Sequence, residues 1–169
     1  MQNEESLCKS ANDKKVVFDP VNSHTATHFK DAPKLRGLVE QLLSEMVLVG
    51  DLIAKNVDMG EIIGSSDVVE IDGSDEVVYA MRKSREDQGY VPFTKSRSPQ
   101  PSQLVSIYLV RKESDTYELL SAWIGEFESP AFPQMPNATA NSIPYWEAHA
   151  FVWGSQKIIP GTEITNRPW

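Results

Sequence analysis

A single cysteine, Cys8, stands in the whole chain. It excludes an intramolecular disulfide and a thiolate metal cage, and its polar surroundings argue against a nucleophile, which needs a positioned thiolate. Long apolar runs are missing too. No stretch approaches the ~18 consecutive apolar residues that span a bilayer, and the opening Met1-Gln2-Asn3-Glu4-Glu5-Ser6-Leu7-Cys8-Lys9 has no apolar signal region. The expectation is a cytoplasmic protein with no membrane partner. Also missing are the phosphate-binding glycine-lysine loop, the dinucleotide glycine motif, the paired-histidine zinc-protease motif and the esterase serine elbow. Nucleotide-driven, zinc-protease and classical esterase chemistry are thereby disfavoured, and neither a cofactor nor a metal is expected. Positive charge is scarce: 16 Lys and Arg stand against 24 Asp and Glu, a net charge of −8, which argues against a protein that coats nucleic acid.

What is present is ordinary for a globular chain. With 169 residues, 40% of them hydrophobic, the chain can bury roughly 70% of its unfolded surface without covalent staples. Residues 1–15 are polar and aperiodic and read as a disordered tail, leaving 16–169 as one domain. Val16-Val17-Phe18 reads as a short strand stopped at Asp19-Pro20. From 31 to about 46 the pattern is helical: Asp31 is placed to cap, Pro33 suits the first turn, and Leu35, Leu38, Val39, Leu42, Leu43 and Met46 share one face. Residues 47–57 keep helical character past Gly50. Val68-Val69 and Val77-Val78 flank Asp72-Gly73 as two strands about a hairpin-type turn.

Residues 84–101 carry Gly89, Pro92, Pro99 and Pro101 and read as the longest loop. The clearest β signal follows, with 104–110 and 117–124 joined by the polar link 112–116, an antiparallel pair apolar enough to be central. Ser142 and Pro144 open a helix over roughly 143–153, whose Tyr145, Trp146, His149, Ala150 and Trp153 form a core-type aromatic stripe. Helix and strand runs without βαβ alternation predict an α+β fold, an antiparallel sheet with helices packed on one face.

Charge is unevenly distributed. Between Glu40 and Glu76 ten acidic residues are opposed only by Lys55, whereas Arg82, Lys83, Arg85, Lys95 and Arg97 form a local basic strip. His24-Thr25-Ala26-Thr27-His28 is the most suggestive cluster. In a helix the two imidazoles would reach one metal ion, but the β-branched threonines favour an extended segment, which separates them by about 13 Å and leaves no shared ion. His28, beside Phe29 and the helix cap, is then the better general acid or base. The basic strip supplies charge stabilisation, and Thr94 and Ser121 supply hydroxyls.

A histidine ahead of a first helix, a Lys/Arg-bearing turn, Phe93-Thr94-Lys95 and a terminal hairpin bearing Ser121 resemble, over about 24–125, the barnase, EndoU and RelE-like group of metal-independent endoribonuclease toxins. The resemblance implies a small α+β domain that cleaves RNA through internal attack of the 2′-hydroxyl. His28 would then shuttle a proton, Arg85 or Lys95 would steady the phosphorane, and Thr94 or Ser121 would orient the phosphate, with RNA held on the basic strip. The net acidity and the segment 126–169 depart from that group. The competing reading is a non-catalytic interaction module of the immunity or inhibitor type. Its acidic 40–76 surface, with Tyr90 and Trp169 exposed, would meet a basic protein partner.

Overall fold

Along the chain the computed structural model, which describes residues 3–126 and 129–169, forms β1 (Glu5–Lys9), β2 (Lys15–Phe18), α1 (His24–Asp31), α2 (Pro33–Glu45), β3 (Leu52–Asp58), β4 (Gly64–Ser66), β5 (Val68–Glu70), β6 (Val77–Met81), β7 (Tyr90–Thr94), β8 (Gln100–Ser102), β9 (Leu104–Glu113), β10 (Thr116–Ile124), α3 (Ser142–Ala148) and β11 (His149–Val152). The fold is α+β with mostly antiparallel sheets, as the sequence pattern predicts. None of its described helices is long and apolar enough to cross a membrane. The chain expected to be one domain divides into two compact units, one built from 3–64 and 102–126, the other from 65–101 and 129–169.

The first unit is a five-stranded sheet in the order β1-β2-β10-β9-β3. Its central pair, β9 and β10, is the predicted hairpin, closed by Ser114 and Asp115 and kinked by a bulge between Leu119 and Ser121. Side chains alternate across a strand, so Val105, Ile107 and Leu109 of β9 and Leu119 and Ala122 of β10 point to one face and are completely buried. Both helices cover that face, α1 on β10 and α2 on β1 and β10. Leu35, Val39, Leu42 and Leu43 of α2 fill it as the 3.6-residue period requires. Burying each such side chain contributes on the order of 1.5–3 kcal/mol.

The second unit is a four-stranded sheet in the order β5-β11-β7-β6, with β7 and β11 parallel and the outer pairs antiparallel. Phe93, Phe132, Trp146 and Phe151 build its core. Trp146 is buried, 4.5 Å from Phe132 between ring centres, and its indole N–H donates to Pro130 O at 2.9 Å. The C-terminal stretch, irregular in the sequence, lies along β6: Tyr79 and Ile164 exchange backbone hydrogen bonds, and Lys83 N–H donates to Lys157 O.

Several expectations are corrected. Met1 and Gln2 lie outside the described residues, but the rest of the polar tail is ordered. Leu7 of β1 enters the core, and the polar residues after it make a turn in which Lys14 N–H donates to Ser10 Oγ. Cys8 is half-buried in β1, and burial raises its thiol to about 11, which leaves it inert. The helix from 31 is preceded by a second one. Asp31, expected to cap α2, is instead the last residue of α1; Ala32 stands at the start of α2 with no side-chain cap, and Ser23 caps α1. Thr25 and Phe29 sink into the core, which outweighs the weak extended preference of the threonines. Residues 47–57 are not helical, because Gly50 at φ 97° turns the chain into β3, which pairs with β9.

Asp72-Gly73 is a turn, yet β5 and β6 do not pair with each other; β11 and β7 lie between them. The loop expected over 84–101 holds β7 and β8, and the helix over 143–153 gives way at His149 to β11. Trp169, expected exposed, packs edge-on to Tyr79 at 5.3 Å.

The Asp72 turn is pinned by a fork. Arg97 Nε and Nη2 donate to the two carboxylate oxygens of Asp75 at 2.8 and 3.0 Å. The guanidinium, with help from the Asp72 backbone N–H, holds the Asp75 carboxyl below its ordinary value. A lowered carboxylate contributes stability that is present above its unfolded pKa of about 3.9 and lost as pH falls through the folded value. Urea midpoints are therefore expected to fall more steeply below about pH 4 in the parent than in Arg97→Ala. Equal acid sensitivity of the two proteins would show that the fork contributes nothing.

Candidate functional site

An edge strand leaves a row of backbone groups unpaired, and proteins ordinarily blunt such edges with bulges, prolines, short length or a covering segment. The edges of this protein differ in that respect. β1 is five residues long and bulged between Ser6 and Cys8. β5 has three residues, and β6 is covered by the C-terminal stretch. β3 has seven residues, pairs with β9 in unbroken register from Leu52↔Val110 to Asp58↔Leu104, and contains no proline. No other described strand pairs with it.

The register fixes which groups are free. Arg111 N–H donates to Asp51 O and Met59 N–H to Gln103 O. Antiparallel pairs alternate between hydrogen-bonded and non-hydrogen-bonded, so Ile53, Lys55 and Val57 face β9 with their backbone groups. Leu52, Ala54, Asn56 and Asp58 turn theirs outward.

The approach to this edge is held rigidly. Asn12 clamps Leu48: its Oδ1 accepts from Leu48 N–H at 3.0 Å and its Nδ2 donates to Leu48 O at 2.9 Å. Tyr117, buried in the core, donates from its hydroxyl to Gly50 O at 2.7 Å. With Leu48 drawn in, Val47 and Val49 are forced out at 65% and 74% exposure, next to Leu52 at 55%. Three large apolar side chains thus stand in solvent within six positions of chain. Asn12→Ala strips both partners from the Leu48 backbone and is expected to cost about 1–3 kcal/mol in urea unfolding. A change below a few tenths would mean that water replaces the clamp.

Charge at this edge is acidic. Glu45, Asp58 and Glu61 are exposed, Asp51 is held by Arg111, and Lys55 is the only cation between Glu40 and Glu76.

No family model, no curated protein and no solved structure matches the chain.

The residues singled out from sequence lie on other elements. In the first unit, His28 sits on α1, on the helix-covered side of the sheet. Ser121 pairs with Tyr108, out of phase with buried Ile107 and Leu109, and so points to the opposite face, its Oγ buried without a hydrogen-bond partner. The sheet separates these two candidates. In the second unit Thr94 is fully buried and accepts from Ser96 N–H, and Lys95 Nζ lies 4.6 Å from the centre of the Trp153 ring. Arg85, exposed, precedes β7 whereas Lys95 follows it, so a strand about 13 Å long lies between them.

The basic strip is likewise dispersed. Arg97 is consumed by Asp72 and Asp75, and the Arg82 guanidinium packs against Phe132 and Phe151 at 5.3 and 5.0 Å. Burial, with the neighbouring charge of Arg85, lowers that guanidinium to about 10. The two rings and the amide oxygens of Gln88 and Gln156 take the place of a carboxylate there.

The β3 edge itself escapes a reading of the sequence, because openness is a property of sheet order. Only the acidic run hinted at it.

Proposed function

We propose that the protein is a binding module whose open β3 edge accepts an extended segment of a basic partner protein as a sixth strand. The carrying observation is the long, unbulged and proline-free edge, seven residues in straight register with the backbone groups of Leu52, Ala54, Asn56 and Asp58 turned outward and only Lys55 and Asp58 charged. Strand addition draws affinity from main-chain hydrogen bonds and specificity from alternate side chains. Here Val47, Val49 and Leu52 favour an apolar residue at one end of the added strand. Asp58 and Glu61 favour lysine or arginine at the other. A second copy of the chain is the poorer occupant, because each copy carries a net charge of −8 and brings the same acids to the shared edge.

Random peptides displayed on phage and selected on the whole protein test this reading. The expected winners carry apolar residues at one end and lysine or arginine at the other, and lose binding at high salt, as acidic complementarity requires. Acidic or sequence-indifferent winners would overturn it. So would RNA cleavage in chelator that His28→Ala abolishes, since that would establish the toxin-type chemistry instead.

A further inference from the structure

The His24 and His28 imidazoles, one helical turn apart on α1, lie with ring centres 4.5 Å apart and planes inclined at 52°. From this geometry we propose that the pair chelates a borderline divalent first-row ion of the zinc, nickel or copper class. Residues at i and i+4 share a helix face, and a zinc ion holds imidazole nitrogen at about 2.0–2.1 Å. Rings already this close need side-chain rotation, not backbone movement, to bring a nitrogen of each onto one ion. Imidazole selects ions of this class, whereas magnesium and calcium take oxygen ligands.

The scaffold is set before any ion arrives. Ser23 Oγ accepts from Ala26 N–H at 3.0 Å at the start of α1. Thr25 Oγ1 donates to Leu119 O at 3.2 Å, and Phe29 packs edge-on to Phe18 at 5.4 Å. Thr25 and Phe29 are buried, and each histidine directly precedes one of them, so both rings stand at the rim of the packed row. His24 is exposed and His28 partly so. Helical register, which the sequence alone argued against, is what creates the pair.

Among the described residues no cluster of three or more His, Cys, Asp or Glu side chains is placed to hold an ion. The remaining coordination positions therefore belong to water or to a ligand from another molecule. The site is accordingly a weak, exchangeable one that the fold does not depend on, unlike a closed structural zinc centre.

Calorimetric titration of the whole protein with zinc chloride, together with electron paramagnetic resonance of the copper(II) form, tests the proposal. The parent is expected to bind a single ion, and His24→Ala and His28→Gln each to weaken it by at least about tenfold, with coupling to one imidazole nitrogen fewer. His149→Gln, which alters the remaining histidine in the second unit, is expected to change nothing. Zinc affinity unchanged in His24→Ala, or parent binding no tighter than that of a variant carrying both His24→Ala and His28→Gln, would overturn the proposal. His24 is exposed on the first turn, so that variant decides the matter even if His28→Gln folds poorly.

Discussion

Ala54→Pro is expected to remove capture of an extended peptide while leaving the fold in place. Ala54 turns its N–H away from β9, so a proline there breaks no bond of the existing ladder, and Ile53 before it is already in the extended conformation that a following proline requires. The ring takes away one outward donor and intrudes on the space, about 4.8 Å away, where an added strand must run. Losing that hydrogen bond and interrupting its neighbours should weaken peptide binding by roughly 2–3 kcal/mol, about a hundredfold. The urea midpoint should move little. Peptides that bind the proline variant as well as the parent would place the interaction elsewhere.

Trp146→Ala should be the most damaging substitution in the second unit. The indole is 2% exposed, packs on Phe132 and Phe151, and donates to Pro130 O. Removing it leaves a cavity among rings with few ways to collapse, and orphans a carbonyl. The expected loss is about 3–5 kcal/mol, read as a lowered urea midpoint and faster amide exchange in β7 and β11. A loss under about 1.5 kcal/mol, the range of a tolerated core swap, would show that the aromatic cluster is looser than its geometry implies.

Elements with an unambiguous local hydrophobic pattern are legible in the sequence, and those that take their identity from tertiary pairing are not. The β9–β10 hairpin announces itself because two apolar runs flank a polar link, and α2 because Leu35, Val39, Leu42 and Leu43 repeat at the helical period. β3 carries Leu52-Ile53-Ala54-Lys55, which has no clean alternation. Its identity comes from β9, some fifty residues away along the register. β5 and β6 were recognisable as strands, but their separation by β11 and β7 depends on a strand from the far end of the chain. In α1 the extended segment expected from the threonines is a helix, because the burial of Thr25 and Phe29 outweighs their local preference.

The candidate site divides along the same line. The acidic run over 40–76 is visible as composition, whereas the outward row at Leu52, Ala54, Asn56 and Asp58 follows from a pairing register that composition does not encode. The His24/His28 spacing was visible and its conformation was not. The catalytic grouping of His28 with Ser121 depended on their meeting across a sheet whose register sends them to opposite faces.

Strand addition at β3 leaves a signature with a period of two residues. Amide hydrogen exchange, followed residue by residue by NMR with and without a selected peptide, reads it directly. Binding should newly protect the amides of Leu52, Ala54, Asn56 and Asp58, while Ile53, Lys55 and Val57, already bonded to β9, change little. Uniform protection along the strand, or protection confined to other parts of the chain, would contradict the proposal that this edge is where the protein works.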